Sequence, residues 1–233
     1  MKSIIGNLQM MWLMKSPPAL FSRLFELPWY RGMLEQWAAP LQKDDASVLE
    51  VGCAAGNFSR LLAQLNMRVS AVDSSAQMLA RAQKTVSVVQ FRQADAMRLP
   101  FPDQHFDVVL AASLLNVVDS PLAVLNEMRR VCREGGTVSV LVPDRSFSDE
   151  QAKLAAELLT GLSRAAFLTW HRRAKKMDAA DLREYFNECG MTEISGRSLL
   201  GGMVVAISGK VGNFSLQSPI KEFEKGEGGN AGI

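Results

Sequence analysis

Three carboxylates in the first half of the chain stand within or just after short apolar runs: Glu50 inside residues 48–51, Asp73 after residues 68–72, and Asp95 after residues 86–94. An ionised carboxylate only accepts hydrogen bonds, so acids at strand ends suit the hydroxyl and amine donors of a ligand. The first acid is followed by Gly52-Cys53-Ala54-Ala55-Gly56, a turn whose small side chains let backbone amides approach a ligand closely. Beyond it, Phe58, Leu61, Leu62 and Leu65 recur at helical spacing. Strand, small-residue turn and a helix whose first N–H groups are unpaired make the opening unit of a nucleotide-binding α/β fold. Asp73 lies 17 residues beyond Gly56, near the roughly 20-residue spacing at which an acid ending the second strand meets a ribose hydroxyl pair.

The elements that must position these groups follow in order. Residues 68–73 read as a second strand, and Ser74-Ser75 leads into a helix over 76–84. A third strand over 86–94, the turn-rich Leu99-Pro100-Phe101-Pro102-Asp103 and a fourth strand over 106–112 come next. Ser120-Pro121 predicts a helix start with the Ser120 hydroxyl as cap, Gly135-Gly136 predicts its end, and 138–142 predicts a fifth strand. Five β–α alternations imply a parallel sheet covered on both faces. Ser148-Asp149-Glu150-Gln151 is a capping box, opening a long helical stretch with Leu154, Leu158 and Leu162 on one face and residues 167–173 at its end. Asp178 is expected to cap a helix over 179–188 closed by Gly190, and strand-like runs over 192–200 and 203–208 flank the hairpin signal Gly201-Gly202.

Residues 1–45 carry helical patterning at Leu20, Phe21, Leu24, Phe25, Met33, Leu34 and Trp37, broken at Pro17-Pro18, Pro28 and Pro40. They are expected to form a helical preface that either anchors on the core or acts as a lid. An α/β domain over 46–211, with a helical substrate-side insertion at 147–177, and a poorly ordered tail at 212–233 complete the expected organisation.

At 233 residues and 48% apolar composition, the chain suffices for one domain with a full core. Its 26 basic and 24 acidic residues create no broad field, so a nucleic-acid polymer is not implied as partner. Three cysteines without a CxxC pair, and only two histidines, argue against a disulfide framework or a metal site and fit a reducing compartment. The apolar run near the N-terminus is interrupted by Asn7 and Gln9, ended by Lys15 and followed by no cleavage signal, and no stretch approaches the roughly 20 apolar residues of a membrane span. The expected location is cytoplasmic.

Taken together, VLEVGCAAGNFS, VDSS, QADAMRLPF, FDVVLAASLLNVVDSP and LNEMRRVCREGGTVSVLVPD resemble, in order, the motifs of the class I S-adenosylmethionine-dependent methyltransferases, and most of all the small-molecule ubiquinone- and biotin-pathway group. The resemblance covers about residues 48–144. It implies a Rossmann-like, doubly wound, seven-stranded and mostly parallel sheet with an antiparallel last strand, and S-adenosylmethionine as cofactor. It further implies that Glu50 lies near the amino group of the methionine part, that Gly52, Cys53, Ala54 and Gly56 line the turn beneath it, and that Asp73 accepts both ribose hydroxyls. Asp95 and Ala96 would meet the adenine and Ala112 the methionine part, with Asn57, Ser74 and Met78 completing the cofactor set. Two departures stand out. Ala54 replaces the family's middle glycine, an exchange tolerated where that position keeps a negative φ, and Asn116 replaces a histidine common in relatives. His105, in a loop, reads as surface.

The reaction so implied is in-line methyl transfer to a small or carrier-linked metabolite, for which positioning is the main requirement. If a base is used, the candidates are His171, Tyr30 and Asp144. Trp29, Tyr30, Arg31, Asn116 and His171 are the candidate substrate residues. The cluster of Arg164, Trp170, His171, Arg172, Arg173, Lys175 and Lys176 reads either as a seat for an acidic substrate or carrier protein, or as a solvated basic helix face. Two rival readings stand beside this one. A nicotinamide-dependent oxidoreductase wants a second and third glycine that Ala54 and Asn57 replace. A catalytically inactive methyltransferase-like binding or scaffold subunit would keep the same cofactor residues.

Overall fold

The structure, a computed structural model, describes residues 23–212. The expected helical positions Leu20 and Phe21, the breaks at Pro17 and Pro18, and nearly all of the expected tail lie outside the described residues. One seven-stranded sheet runs in the order β3-β2-β1-β4-β5-β7-β6. The strands are β1 (Ser47–Val51), β2 (Arg68–Asp73), β3 (Gln90–Gln93), β4 (Phe106–Ala112), β5 (Cys132–Pro143), β6 (Met191–Leu199) and β7 (Val204–Val211). β1 to β5 pair in parallel, and the last strand, β7, runs antiparallel between β5 and β6. The helices are α1 (Pro28–Ala38), α2 (Asn57–Gln64), α3 (Ala76–Thr85), α4 (Pro121–Val131), α5 (Asp149–Ala155), α6 (Gly161–Arg173) and α7 (Ala179–Glu188).

The sheet divides two cores. On one face Tyr30, Leu34 and Trp37 of α1, Phe58 and Leu62 of α2, and Leu79 of α3 pack on Val48 and Leu110. On the other, Leu125 and Met128 of α4 and Leu182 and Phe186 of α7 cover Leu49, Val109 and Ile207. Burial on both faces explains why these strands read as apolar runs rather than alternations. A smaller cluster of Phe147, Ala152, Ala156, Phe167 and Met203 gathers α5 and α6 above the C-terminal strand ends.

The preface is fixed by specific chemistry. Pro28, expected as a break, is the first residue of α1, where its missing N–H costs nothing. Trp37 stacks on Phe58 at 5.2 Å, and its Nε1–H donates to Ser139 Oγ at 2.9 Å. No described helix is long and apolar enough to cross a membrane.

Several local expectations are corrected. Helix α4 ends at Val131 and β5 starts at once, so Gly135-Gly136 lies inside a strand. A Cβ on Gly136 would sit 2.7 Å from the Arg133 carbonyl and 2.9 Å from that of Asp107, so the glycine answers to close strand approach beside the β4–β5 irregularity rather than to a helix stop. Ser120 and Asp178 occupy N-cap positions without making cap bonds, and the Asp178 carboxylate pairs instead with Arg145 at 3.0 Å. The stretch after Ser148 does open with a full capping box. It is not one helix, however, because Leu159 and Thr160 are extended before α6 begins at Gly161. Leu154 and Leu158 are 67% and 89% exposed and belong to no core face. The third strand is shorter than read, Gln90–Gln93.

Candidate active site

The expected acids converge at the C-terminal edge of the sheet. Register pairs Val51 with Val72, which sets Asp73 beside the turn after β1. The amides of Gly52 and Cys53 both donate to the Val72 carbonyl, at 2.8 and 3.0 Å, and Ala54 N–H donates to Asp73 Oδ2 at 2.8 Å. Ser75 N–H donates to Asp73 Oδ1, also at 2.8 Å. Asp73 therefore joins the first turn to the second while each oxygen keeps acceptor capacity.

The turn is strained where the sequence departs from glycine. Ala54 adopts φ +46°, so the negative φ under which alanine is harmless does not hold. A left-handed non-glycine residue costs about 1–2 kcal/mol, here offset by its bond to Asp73. Gly56 has φ +76°, and a Cβ there would lie 2.7 Å from Phe91 Cζ. Both conformation and space require glycine at that position.

Glu50 is buried, 2% exposed, and accepts the hydroxyl hydrogen of Ser59 from α2. Burial pushes its carboxyl up to about 8; the Ser59 bond opposes the shift and the Asp73 charge adds to it. A carboxylate so placed lacks a cation, which is what the ammonium of a methionine moiety would supply. In the sequence Ser59 carries no signal of this role, because a serine within a helical pattern gives no sign that it faces a buried acid.

Tyr30 is brought into the same site. Its hydroxyl is buried beside Ser113 and Glu50, and burial first, then Glu50, raises its pKa to about 12, against the lowering by its Ser113 hydrogen bond. Trp29 packs edge-on against Tyr30 and Phe167, at 5.4 and 5.2 Å between ring centres, and lies 6.0 Å from Trp170. Helices α1 and α6 thus meet in one aromatic roof. Arg31 is exposed, bonds Glu35 at 2.8 Å, and lines a separate groove with Asn57 and Arg60.

Asp95 is exposed and accepts Met97 N–H at 2.9 Å, with Ala96 half-buried beside it. Their loop is held by Arg130, whose guanidinium reaches Glu127, Asp103 and the carbonyls of Leu99 and Phe101. Ser74 is exposed, its carbonyl accepting from Gln93 at 2.9 Å, and Met78 N–H bonds Ser75 Oγ at 3.3 Å. Ala112 is half-buried at the end of β4, followed by Ser113 with φ +53°. Cys53 is buried, and burial raises its thiol pKa further from reactivity. His105 is exposed and stacks on Phe101.

His171 stands apart. It is 3% exposed, and its Nε2 meets Asp149 Oδ1 at 2.8 Å and Lys176 Nζ at 3.4 Å, which ties α6 to the start of α5. Asp144 accepts Ser146 N–H at 2.8 Å. Asn116, by contrast, lines a slot next to Ser113 together with Trp170 and Arg173. Among the described residues, no group of three or more His, Cys, Asp or Glu side chains is placed to hold a metal.

Residues 49–140 match the family described as methyltransferase domain. Phosphatidylethanolamine N-methyltransferase of Cereibacter sphaeroides is 40% identical over 125 residues, 51% of this chain and 60% of that protein. Demethylmenaquinone methyltransferase of Desulfitobacterium hafniense is 26% identical over 189 residues, 72% of this chain and 74% of that one. Matches to the first few curated relatives span 36–60% of their lengths. Among solved structures, a SAM-dependent methyltransferase of Thermotoga maritima superposes with a TM-score of 0.62 at 21% identity, covering 82% of this chain and 94% of that one, a likeness of fold. The matched segment carries Glu50, Asp73 and Asp95 on or just beyond the strand ends of a 3-2-1-4-5-7-6 sheet, and in sequence and fold this part of the chain is similar to the class I S-adenosylmethionine-dependent methyltransferases.

Proposed function

We propose that this chain catalyses methyl transfer from S-adenosylmethionine to a small or carrier-linked metabolite. The observation that carries the reading is the buried Glu50, a carboxyl raised to about 8 with no compensating cation among the described residues, close to the amides bound by Asp73. Glu50 would receive the ammonium of the methionine part. Asp73 would accept the ribose hydroxyls with the lone pairs left free by Ala54 and Ser75. The Asp95 carboxylate and the Ala96 N–H would meet the edge of the adenine. Gly52, Cys53, Ala54, Gly56, Asn57, Ser74, Met78 and Ala112 would line the remainder.

When bound, the cofactor supplies a sulfonium-activated methyl, so that holding an acceptor in line at about 3 Å contributes several kcal/mol through proximity. The chain's own residues hold and shield. Tyr30, 3% exposed, lies beside Glu50 and helps to exclude water there. Neither a carboxylate nor an imidazole is among the described residues lining the slot, and a Tyr30 hydroxyl at about 12 is a poor base. The acceptor then needs a lone pair available on arrival. The relatives named for a phospholipid and a quinone substrate support a small-molecule acceptor over a polymer.

Calorimetric titration with S-adenosylhomocysteine tests the cofactor reading. Micromolar binding, weakened at least tenfold, about 1.4 kcal/mol, by Asp73→Ala supports it. Folded protein that does not bind S-adenosylhomocysteine sinks it.

A further inference from the structure

A slot of about 320 Å³ opens beside β4 and β5, walled by Leu24, Val117, Pro143, Ala166 and Trp170. Arg173 and Lys175 stand at its rim. Both are exposed, and neither side chain has an ion-pair partner among the described residues. The rest of the basic cluster faces elsewhere: Arg164 bonds the Ala156 carbonyl, Arg172 the Leu168 carbonyl, and Lys176 approaches His171. Two cations are thus left at the mouth of an apolar cavity.

At the inner end stands Asn116. Its Nδ2 donates to the Lys175 carbonyl at 2.9 Å, which fixes the amide, because the flipped form would set two oxygens against each other. Oδ1 is consequently the free end, and it is buried without a donor among the described residues. A buried acceptor left unmatched is costly and is satisfied when a ligand brings an N–H or O–H. Tyr30 lies beside both Ser113, which lines the slot, and Glu50, so this end of the slot adjoins the Glu50 site.

We propose that the slot binds the methyl acceptor and that the acceptor is an anionic amphiphile. Its apolar body lies between Trp170 and Pro143, its anionic group meets Arg173 and Lys175, and a donor at its inner end reaches Asn116 Oδ1. This rests on the methyltransferase reading above. The walls disfavour a wholly polar metabolite, which would lose hydration without new partners, and the rim disfavours a quaternary ammonium.

The test is calorimetric titration of the full chain with octyl phosphate, 8-aminooctyl phosphate, octyltrimethylammonium and inorganic phosphate, with and without S-adenosylhomocysteine. Octyl phosphate should bind at least tenfold more tightly than either octyltrimethylammonium or inorganic phosphate. The double variant Arg173→Ala, Lys175→Ala should lose that margin. Val117→Trp, at a half-exposed wall position, should block the slot. The amino compound should bind more tightly than octyl phosphate, and Asn116→Leu should remove that preference. Octyl phosphate binding no tighter than inorganic phosphate, or unchanged in the double variant, overturns the proposal. If S-adenosylhomocysteine binds and octyl phosphate does not, the slot assignment alone fails. If the converse holds, the cofactor reading fails and takes the acceptor role with it, leaving the slot only as a site for anionic amphiphiles.

Discussion

Ser59, on the first turns of α2, donates its hydroxyl to the Glu50 carboxyl on β1, nine residues earlier and equally out of reach of water. Through that bond first and its backbone N–H second, Ser59 opposes a burial that raises the Glu50 carboxyl from its ordinary 4.5 to about 8.

The pH dependence follows in sign. Between about 4.5 and 8 the folded protein holds a proton that the unfolded chain has released, so Glu50 makes the unliganded protein less stable as pH rises through that window. Thermal unfolding of the free protein should show this slope, and Glu50→Gln should flatten it. Binding of a cationic amino group reverses the preference, so S-adenosylhomocysteine should bind more tightly from pH 6 to 8 and release a proton, read calorimetrically in buffers of different ionisation enthalpy. Affinity independent of pH would show that Glu50 does not meet the ligand.

Replacing Ala54 with glycine should relieve the left-handed strain at φ +46°. Of the about 1–2 kcal/mol involved, part is returned as unfolded-state entropy, so a gain of up to about 1 kcal/mol is expected, or a Tm about 2–4 °C higher. Gly56→Ala should do the opposite and more, since its Cβ meets Phe91 as well. Differential scanning calorimetry of the pair separates conformational from packing costs.

Arg130→Ala should free residues 95–104. The guanidinium, braced by Glu127 of its own helix, binds the Asp103 carboxylate and two carbonyls of that region at 2.7–3.1 Å, and losing charge-assisted bonds costs about 1.5–3 kcal/mol. Proteolysis within the loop should accelerate, and S-adenosylhomocysteine affinity should fall through Asp95. Arg130→Lys should not restore either, because one ammonium cannot span the fork.

Trp29→Ala should destabilise the protein by about 3 kcal/mol and open the roof over Tyr30. The chain has two tyrosines, so ultraviolet titration can follow the Tyr30 step near 12 moving toward its ordinary 10.0. A step that stays in place would show that the roof does not shield the hydroxyl.

Much of this was legible before any coordinates. The bounds of β2 and β4 are those the apolar runs imply, and the acids sit at strand ends because the first motif fixes the turn that bears them. Legibility failed where a residue answers to a distant neighbour. Gly136 is small because the Asp107 carbonyl passes against it, a cross-strand fact invisible to local pattern. Leu154 and Leu158 keep helical spacing yet point outward, since spacing assigns a common face without saying what that face meets. Ser59, Ser113 and the division of the basic cluster between slot rim and backbone carbonyls appear only once the helices are placed.

The aromatic roof has a consequence for divergence. Trp29 and Tyr30 come from one end of the chain and Phe167 and Trp170 from 137 or more residues later, yet they interlock edge to face. The two segments therefore pack as one part. Grafting α6 of another protein onto this scaffold without its own α1 would leave mismatched rings against Trp29 and Tyr30, so this roof should be exchangeable only by paired replacement of both helices, with the β1–β4 half carried along unaltered.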